Sequence, residues 1–311
     1  MLENKIEKKP MSQVRYILMM LVCITVWAFA FPLIKLALRD LSFTTLTVLR
    51  FFTVCMASLV IILFRSKHFT RLQKKDIIPI FLLGFFGVMM YHFGLNYGEQ
   101  YVSASVASLI IASSPVMCVL LAIVFLKEKV TVRKGIGIVL ALIGVVAISL
   151  WGTHDASLKI TYITAALAVV MAATMGSIYT IAGKKLLTRY SPLSLTLYAM
   201  LLGSLSLIPV AILTPTFSTE VLTMSWTTMF AVIFLGLCST IIGYGLWYVA
   251  LEMKTASEIS VFLYGVPVLS TIISYLLFND RLTVFFILGG IFVIGGLILV
   301  NQKEKGKNHK Q

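Results

Sequence analysis

Apolar stretches long enough to cross a bilayer recur from one end of the chain to the other, and nothing else in it limits the possible folds so severely. Inside lipid every backbone N–H and C=O must find its partner within the protein, and for runs of this length the helix provides it. Ten spans can be read, at roughly 15–38, 43–64, 77–98, 102–126, 132–151, 160–183, 192–213, 226–250, 256–278 and 283–301. The charged fraction, 12%, is about half that of a soluble domain, while 59% of the residues are hydrophobic. The chain reads as a polytopic membrane protein.

A formal net charge of +14 invites a nucleic-acid reading until the basic residues are placed. With the N-terminus inside, 21 of the 26 Lys and Arg residues fall in cytoplasmic segments, leaving Lys35, Arg39, Arg50, Lys159 and Arg281 elsewhere. That bias sets the orientation, with both termini cytoplasmic, and no nucleic-acid partner is expected. The basic start and the Ala28–Ala30 stretch resemble a signal peptide. The first apolar run is too long for one and nine more follow, so an uncleaved first helix is expected. Cys23, Cys55, Cys118 and Cys238 all lie in spans without close spacing, as packing residues rather than a disulfide framework or metal site.

Sliding the chain against itself by 152 residues places Ala104 on Ala256, Ser105 on Ser257, Ser108 on Ser260 and Pro115 on Pro267. The same shift sets Glu128 on Asp280, Thr131 on Thr283, Gly137 on Gly289 and Gly144 on Gly296. A shift of 149 aligns Lys35 with Lys184, Ser42 with Ser191, Leu46 with Leu195 and Thr47 with Thr196. The halves therefore read as copies of one five-helix unit, and an odd number of crossings inserts the second copy upside down. The turn KEKVTVRK at 127–134 becomes NDRLTVFF at 279–286, with Arg133 and Lys134 replaced by Phe285 and Phe286. Loss of positive charge is what a turn moved to the outer side requires. The expected fold class is all-α integral membrane, with ten transmembrane helices as two inverted five-helix repeats and both termini cytoplasmic. Its expected parts are a tail at 1–14, a first repeat at 15–151, an external linker at 152–157, a second repeat at 158–301 and a tail at 302–311.

Each proline lies about 16 Å along its helix, near the bilayer centre. Freed backbone is tolerated at that depth only where protein buries it or water reaches it. The prolines share a face with Ser105, Ser108 and Ala112 in one helix, and with Ser257, Ser260 and Tyr264 in the other. Such a face lines a polar cavity or packs helices closely.

The stretches WAFAFPLIKLAL at 27–38 and LRFF at 49–52, with the doubled block FLKEKVTVRKGIGIVLALIGVVAI and LFNDRLTVFFILGGIFVIGGLILV, carry a resemblance. Over nearly the whole chain it resembles the drug/metabolite transporter superfamily, in its EamA-type ten-helix class. That resemblance implies a carrier of small metabolites such as amino acids, working by alternating access without ATP around a cavity between the halves. It also implies that an arginine at Arg50 is a general family feature. Asp280 departs from the glutamate usual in its turn.

Charged and polar side chains within spans are costly, so each is a candidate for function. Arg50 either contacts substrate or pairs with Glu99, and Lys35 either contacts substrate or snorkels to the headgroups. His92 and Asn96 share a helix face, flanked by Tyr91 and Tyr97, and His92 titrates near neutral pH when unperturbed. Tyr244, Trp247 and Tyr248 form an aromatic face that Trp27, Phe31 and Tyr179 join as apolar walls, or else form part of the interfacial belt. The expected substrate-binding set is Trp27, Phe31, Lys35, Arg50, Tyr91, His92, Asn96, Ser108, Ala112, Pro115, Tyr179, Tyr244, Tyr248, Ser260, Tyr264 and Pro267. His92 and Glu258 are the candidates for proton coupling, since no carboxylate falls mid-span.

The expected function is a secondary transporter exporting an amino acid or a related carboxylate-bearing metabolite, because fixed positive charge exceeds negative near the outer cavity. An uptake carrier or exchanger for another metabolite or an aromatic or cationic drug is the alternative, and a sensor or scramblase a further one. No metalloprotease, serine-hydrolase or phosphate-loop motif occurs, so neither an enzyme nor a cofactor is expected. The expected partners are a small-molecule substrate and the bilayer of the cell membrane; the glycine-rich faces pack helices within one chain or join copies into a homo-oligomer, and the sequence does not choose between these.

Overall fold

The computed structural model describes residues 12–65, 69–117, 121, 131–152, 159–254, 259, 261–279 and 282–301. Every regular element among them is helical. Among the described residues six helices are long and apolar enough to span a membrane: α1 (Gln13–Ala37), α2 (Phe43–Arg65), α3 (Lys74–Tyr101), α6 (Ile160–Leu186), α7 (Pro192–Leu213) and α8 (Trp226–Met253). The shorter apolar helices are α4 (Ala104–Met117), α5 (Val132–Trp151), α9 (Phe262–Phe278) and α10 (Val284–Asn301). Leu63, Phe64, Ile212 and Leu213 stand 76–84% exposed, an arrangement suited to acyl chains and costly in water at roughly 25 cal/mol per Å².

Two buried clusters fill the interior. One joins α1, α4, α5 and α6 to the first half of α8, and the other joins α2, α7 and the second half of α8. Trp27 packs against both. Helices α5 and α10 cross closely because glycines meet there: a Cβ on Gly296 would lie 2.4 Å from the Gly137 carbonyl oxygen, and one on Gly144 2.5 Å from that of Gly289. Close approach through small residues is how helices gain packing in lipid.

The proline in α4 has a local remedy. Pro115 lacks an N–H, so the carbonyl of Ile111, four residues earlier, loses its helical donor. The Ser114 hydroxyl donates to that carbonyl at 2.6 Å, and the Ser177 hydroxyl of α6 donates to the Ser114 carbonyl at 2.8 Å. Preceding Pro267 in α9, Val261–Tyr264 tightens into a 3₁₀ turn.

Helices α3 and α8 share a rarer irregularity. Phe85–Met90 and Leu235–Ile242 are wound as π-helix, which turns the face of everything downstream. In the second segment the Thr240 hydroxyl reaches back five residues to the Leu235 carbonyl at 2.7 Å.

Several contacts appear in duplicate. Lys35 donates to the carbonyls of Glu99 and Val102 at 2.8 and 3.1 Å, closing the C-terminal end of α3 where the helix dipole favours a cation. Lys184, its counterpart at 149, donates to the carbonyls of Leu251 and Lys254 at the end of α8. Clasps join the two halves of the chain at both ends of α2, a helix about 34 Å long at 1.5 Å per residue. Beside its first turn, Asp40 Oδ2 accepts from the N–H and hydroxyl of Ser225 (3.0 and 2.5 Å) and from the Thr228 hydroxyl (2.6 Å). There too Glu220 Oε2 accepts from the N–H and hydroxyl of Ser42 at 2.8 and 2.9 Å. Beyond its last turn, Arg189 pairs with Asp76 at 2.7 Å, and Tyr190 donates to the same carboxylate at 2.8 Å. Thr70 completes this second clasp, its N–H donating to Ser194 Oγ at 3.0 Å and its Oγ1 accepting from the Ser191 N–H at 3.2 Å. Counted at 149, Arg189 stands where Asp40 does, and Ser225 where Asp76 does.

Candidate functional site

Between the buried clusters lies a cavity of about 100 Å³, walled by α1, α2, α3, α4, α6, α8 and α9. Nine of the residues expected at the site line it: Trp27, Phe31, Arg50, Tyr91, His92, Ser108, Ala112, Tyr179 and Tyr244. The π segments of α3 and α8 end just before His92 and Tyr244. The turn that precedes Pro115 ends α4's first segment at Ile111 and sets Ala112 and Ser114 on the wall.

Six aromatic side chains stand in the wall: Trp27, Phe31, Tyr91, Tyr179, Tyr244 and Trp247. Trp27 meets Tyr244 edge-on at 5.7 Å between ring centroids and Trp247 at 5.4 Å. Its indole N–H is anchored on the Ser239 carbonyl at 3.0 Å. Tyr179 meets Tyr244 edge-on at 5.3 Å and stacks on Tyr248 at 4.9 Å with the rings 3° from parallel. Edge-to-face pairs align the positive ring edge with the negative face and hold the walls rigid. Glycines make room for them: a Cβ on Gly243 would lie 2.4 Å from Trp27 Nε1, and one on Gly87 2.1 Å from the Tyr179 ring.

The polar groups are few. Arg50 is 2% exposed; its Nε donates to Thr240 Oγ1 at 2.9 Å, and its Nη1 has no hydrogen-bond partner. His92 lies 3.3 Å through Nε2 from the Tyr244 hydroxyl, and its Nδ1 has no hydrogen-bond partner. His92 and Tyr244 are 152 residues apart, the shift that sets Ser108 on Ser260 and Pro115 on Pro267, and their contact joins one half of the chain to the other.

The other expected residues lie elsewhere. Lys35 is committed to the α3 carbonyls and borders a second, more exposed pocket with Arg39, Glu99 and Phe278. Asn96 donates to Thr47 Oγ1 at 2.8 Å, joining α3 to α2. Tyr248 stands behind Tyr179, and its hydroxyl donates to the Tyr179 carbonyl at 3.3 Å. Pro115, Tyr264 and Pro267 do not line the cavity, although Leu263 and Val266, which flank Tyr264 and Pro267, do. Ser260 and Glu258 lie outside the described residues. Trp247, named in the aromatic face but left out of the expected set, lines the cavity, as do Ser114, Gly176 and Thr180, which were not singled out. For Trp247 the signal was present in its i+3 spacing from Tyr244. Gly176 carries no signal of its own, since its role is to leave space for the Tyr91 ring. Among the described residues no group of His, Cys, Asp and Glu is placed to hold a metal ion.

The model of the EamA-like transporter family matches residues 14–150 and again 163–302. An uncharacterized transporter of Archaeoglobus fulgidus is 37% identical over 90% of this chain and 96% of its own length. The uncharacterized transporter YdfC of Bacillus subtilis is 32% identical over 92% of this chain and 90% of its own. A Streptantibioticus cattleyicolor protein named "Probable terminal-alkyne amino-acid exporter" is 31% identical over 94% of this chain and 95% of its own. A solved crystal structure superposes with a TM-score of 0.64 at 19% identity, covering 93% of this chain and 96% of that one, a likeness of fold.

Proposed function

Since the chain belongs to the EamA-like transporter family and is a multi-pass membrane transporter, we propose that it exports an amino acid or a related small carboxylate-bearing metabolite. It does so by alternating access around the cavity between its halves. Ten helices cross the membrane as two inverted repeats, 15–151 and 158–301, with both termini in the cytoplasm. The Asp40–Glu220 clasp then faces outward and the Asp76–Arg189 clasp inward. The observation that carries the reading is the cavity itself: helices from both halves wall it, and a buried arginine is its one fixed charge among the described lining residues. The guanidinium, on which the buried Glu99 carboxylate acts from outside the lining, favours an anion in the cavity over a cation, so the aromatic walls serve a substrate's apolar body rather than a cationic drug.

The test is counterflow in proteoliposomes loaded with single amino acids or organic acids, with labelled solute outside. Uptake of label driven by at least one carboxylate, and abolished by replacing Trp27, is the expected result. Flux carried by organic cations, with none for any carboxylate, would refute the assignment.

A further inference from the structure

Two features of the cavity go beyond its being a transport site. Arg50 Nη1 and His92 Nδ1 are both buried, both on cavity-lining residues, and both without a hydrogen-bond partner. An unmet polar atom at this depth costs free energy unless something else satisfies it. Neither can turn away freely. Arg50 is tethered by Nε to Thr240, within the π segment of α8, and His92 is tethered by Nε2 to Tyr244, in the other half of the chain. The ring is further fixed between Phe51 and Tyr91, at 5.1 and 4.7 Å.

We propose that Arg50 and His92 form a carboxylate clamp: Arg50 Nη1 and His92 Nδ1–H each donate to the substrate's carboxylate. The Tyr244 hydroxyl, donating to Nε2, sets the imidazole tautomer that puts the proton on Nδ1. The proposal rests on the reading of this cavity as the transport site and specifies what that site selects. Tyr244 is a positioning residue, acting through His92. The lining sets the rest of the ligand. Beside the clamp it is mostly apolar, with Ala30, Phe31, Leu95, Ile111 and Val266 on the wall, so the selected class is the small monocarboxylates with a short apolar chain. That carboxylate belongs either to an amino acid or to a simple organic acid.

The experiment compares acids with their isosteric amides on purified full-length protein, read as dose-dependent shifts in Tm. Pentanoate is set against pentanamide, and L-norvaline against L-norvalinamide. For the wild type each acid should bind at least about tenfold more tightly than its amide, the scale of a hydrogen bond to a charged group. Arg50→Gln should erase the difference between acid and amide while leaving amide binding in place. His92→Leu should cost the acids about tenfold, and His92→Gln, which keeps a donor, should restore most of it. Tyr244→Phe should weaken the acids alone. Arg50→Lys, which keeps the charge without the fork, should fall between wild type and Arg50→Gln, and serves if Arg50→Gln does not fold. Equal binding of acids and amides by the wild type would overturn the clamp, as would Arg50 variants that weaken both equally, or no shift from any probe. Norvaline and pentanoate responding together marks the carboxylate alone as the read group; norvaline alone adds the ammonium to it. Counterflow of the same compounds separates the two readings. Acids and amides carried alike would sink the clamp and spare the carrier, whereas acids bound with no flux would do the reverse.

Discussion

Gly243 has no side chain because Trp27 fills the space one would take. Gly243→Ala would push the indole off the Ser239 carbonyl and into the cavity, at the cost typical of overpacking, about 1–3 kcal/mol. A lower Tm together with weaker substrate binding is expected; an unchanged Tm would mean that α1 and α8 have slack not visible in their packing. Ser114 permits a different check. Its hydroxyl serves the carbonyl that Pro115 orphans, so Ser114→Ala should cost about 1 kcal/mol, and Pro115→Ala in the same background should recover it by restoring the N–H. Unfolding midpoints of the two single variants and the double variant form the cycle. The prolines were legible in the sequence, because a proline in a long apolar run has few explanations. The serine was not, since serines are common in spans and only the path of the chain shows which carbonyl each one reaches. Lys35 was misleading for a related reason: a lysine near a span end suggests headgroups, whereas here carbonyls of another helix accept from it.

Among the elements, the clasps join the start of α2 to the approach to α8, and the approach to α3 to the start of α7. The Ser225 and Thr228 hydroxyls, with the Ser225 N–H, hold the Asp40 carboxyl below its usual range, and Arg39 adds to this. For Glu220 burial pushes upward, but hydrogen bonds from Thr216, Thr45 and Ser42 together outweigh it and the carboxyl again lies low. A carboxyl lowered in the folded state contributes stability that is present above its unfolded pKa and lost as pH falls through the folded one. Tm should therefore be level above about pH 5 and decline below about pH 4, the range of free carboxyls and lower. Asp40→Asn with Glu220→Gln should lower Tm at neutral pH and flatten the acid decline. A double variant that kept the full acid decline would assign it to other carboxylates. Neither clasp could be foreseen, because each depends on loops from different halves meeting. The π segments were equally hidden, for no residue type marks them as proline marks a kink.

Over the whole molecule, hydropathy made the six long spans legible, because the bilayer imposes a length that composition must satisfy, and the self-alignment anticipated the doubling that the family model matches. Contact between the halves is another matter. The halves align at 149 in one region and at 152 in another, so no single shift announces that His92 and Tyr244 meet. Orientation itself can be measured. A cysteine at position 155 should react with an impermeant maleimide on intact cells, and one at position 302 only after permeabilisation. The reverse pattern would invert the topology.

The clasps occupy matching positions yet are unlike in chemistry: an ion pair at the Asp76–Arg189 end, and carboxylates on hydroxyls and amides at the other. A carrier with two identical doors would rest half the time facing each way. In the proposed alternating access the clasps are the two doors, and unequal doors tilt that resting balance: the empty protein is expected to wait mostly on one side, with half-saturation differing between the two faces of the membrane by the same factor. Detailed balance still forbids such a tilt from driving net flow. It decides instead at which concentration, inside or outside, the carrier begins to respond, and exchanging Asp40 with Arg189 together with Asp76 with Ser225 should move that threshold from one face to the other.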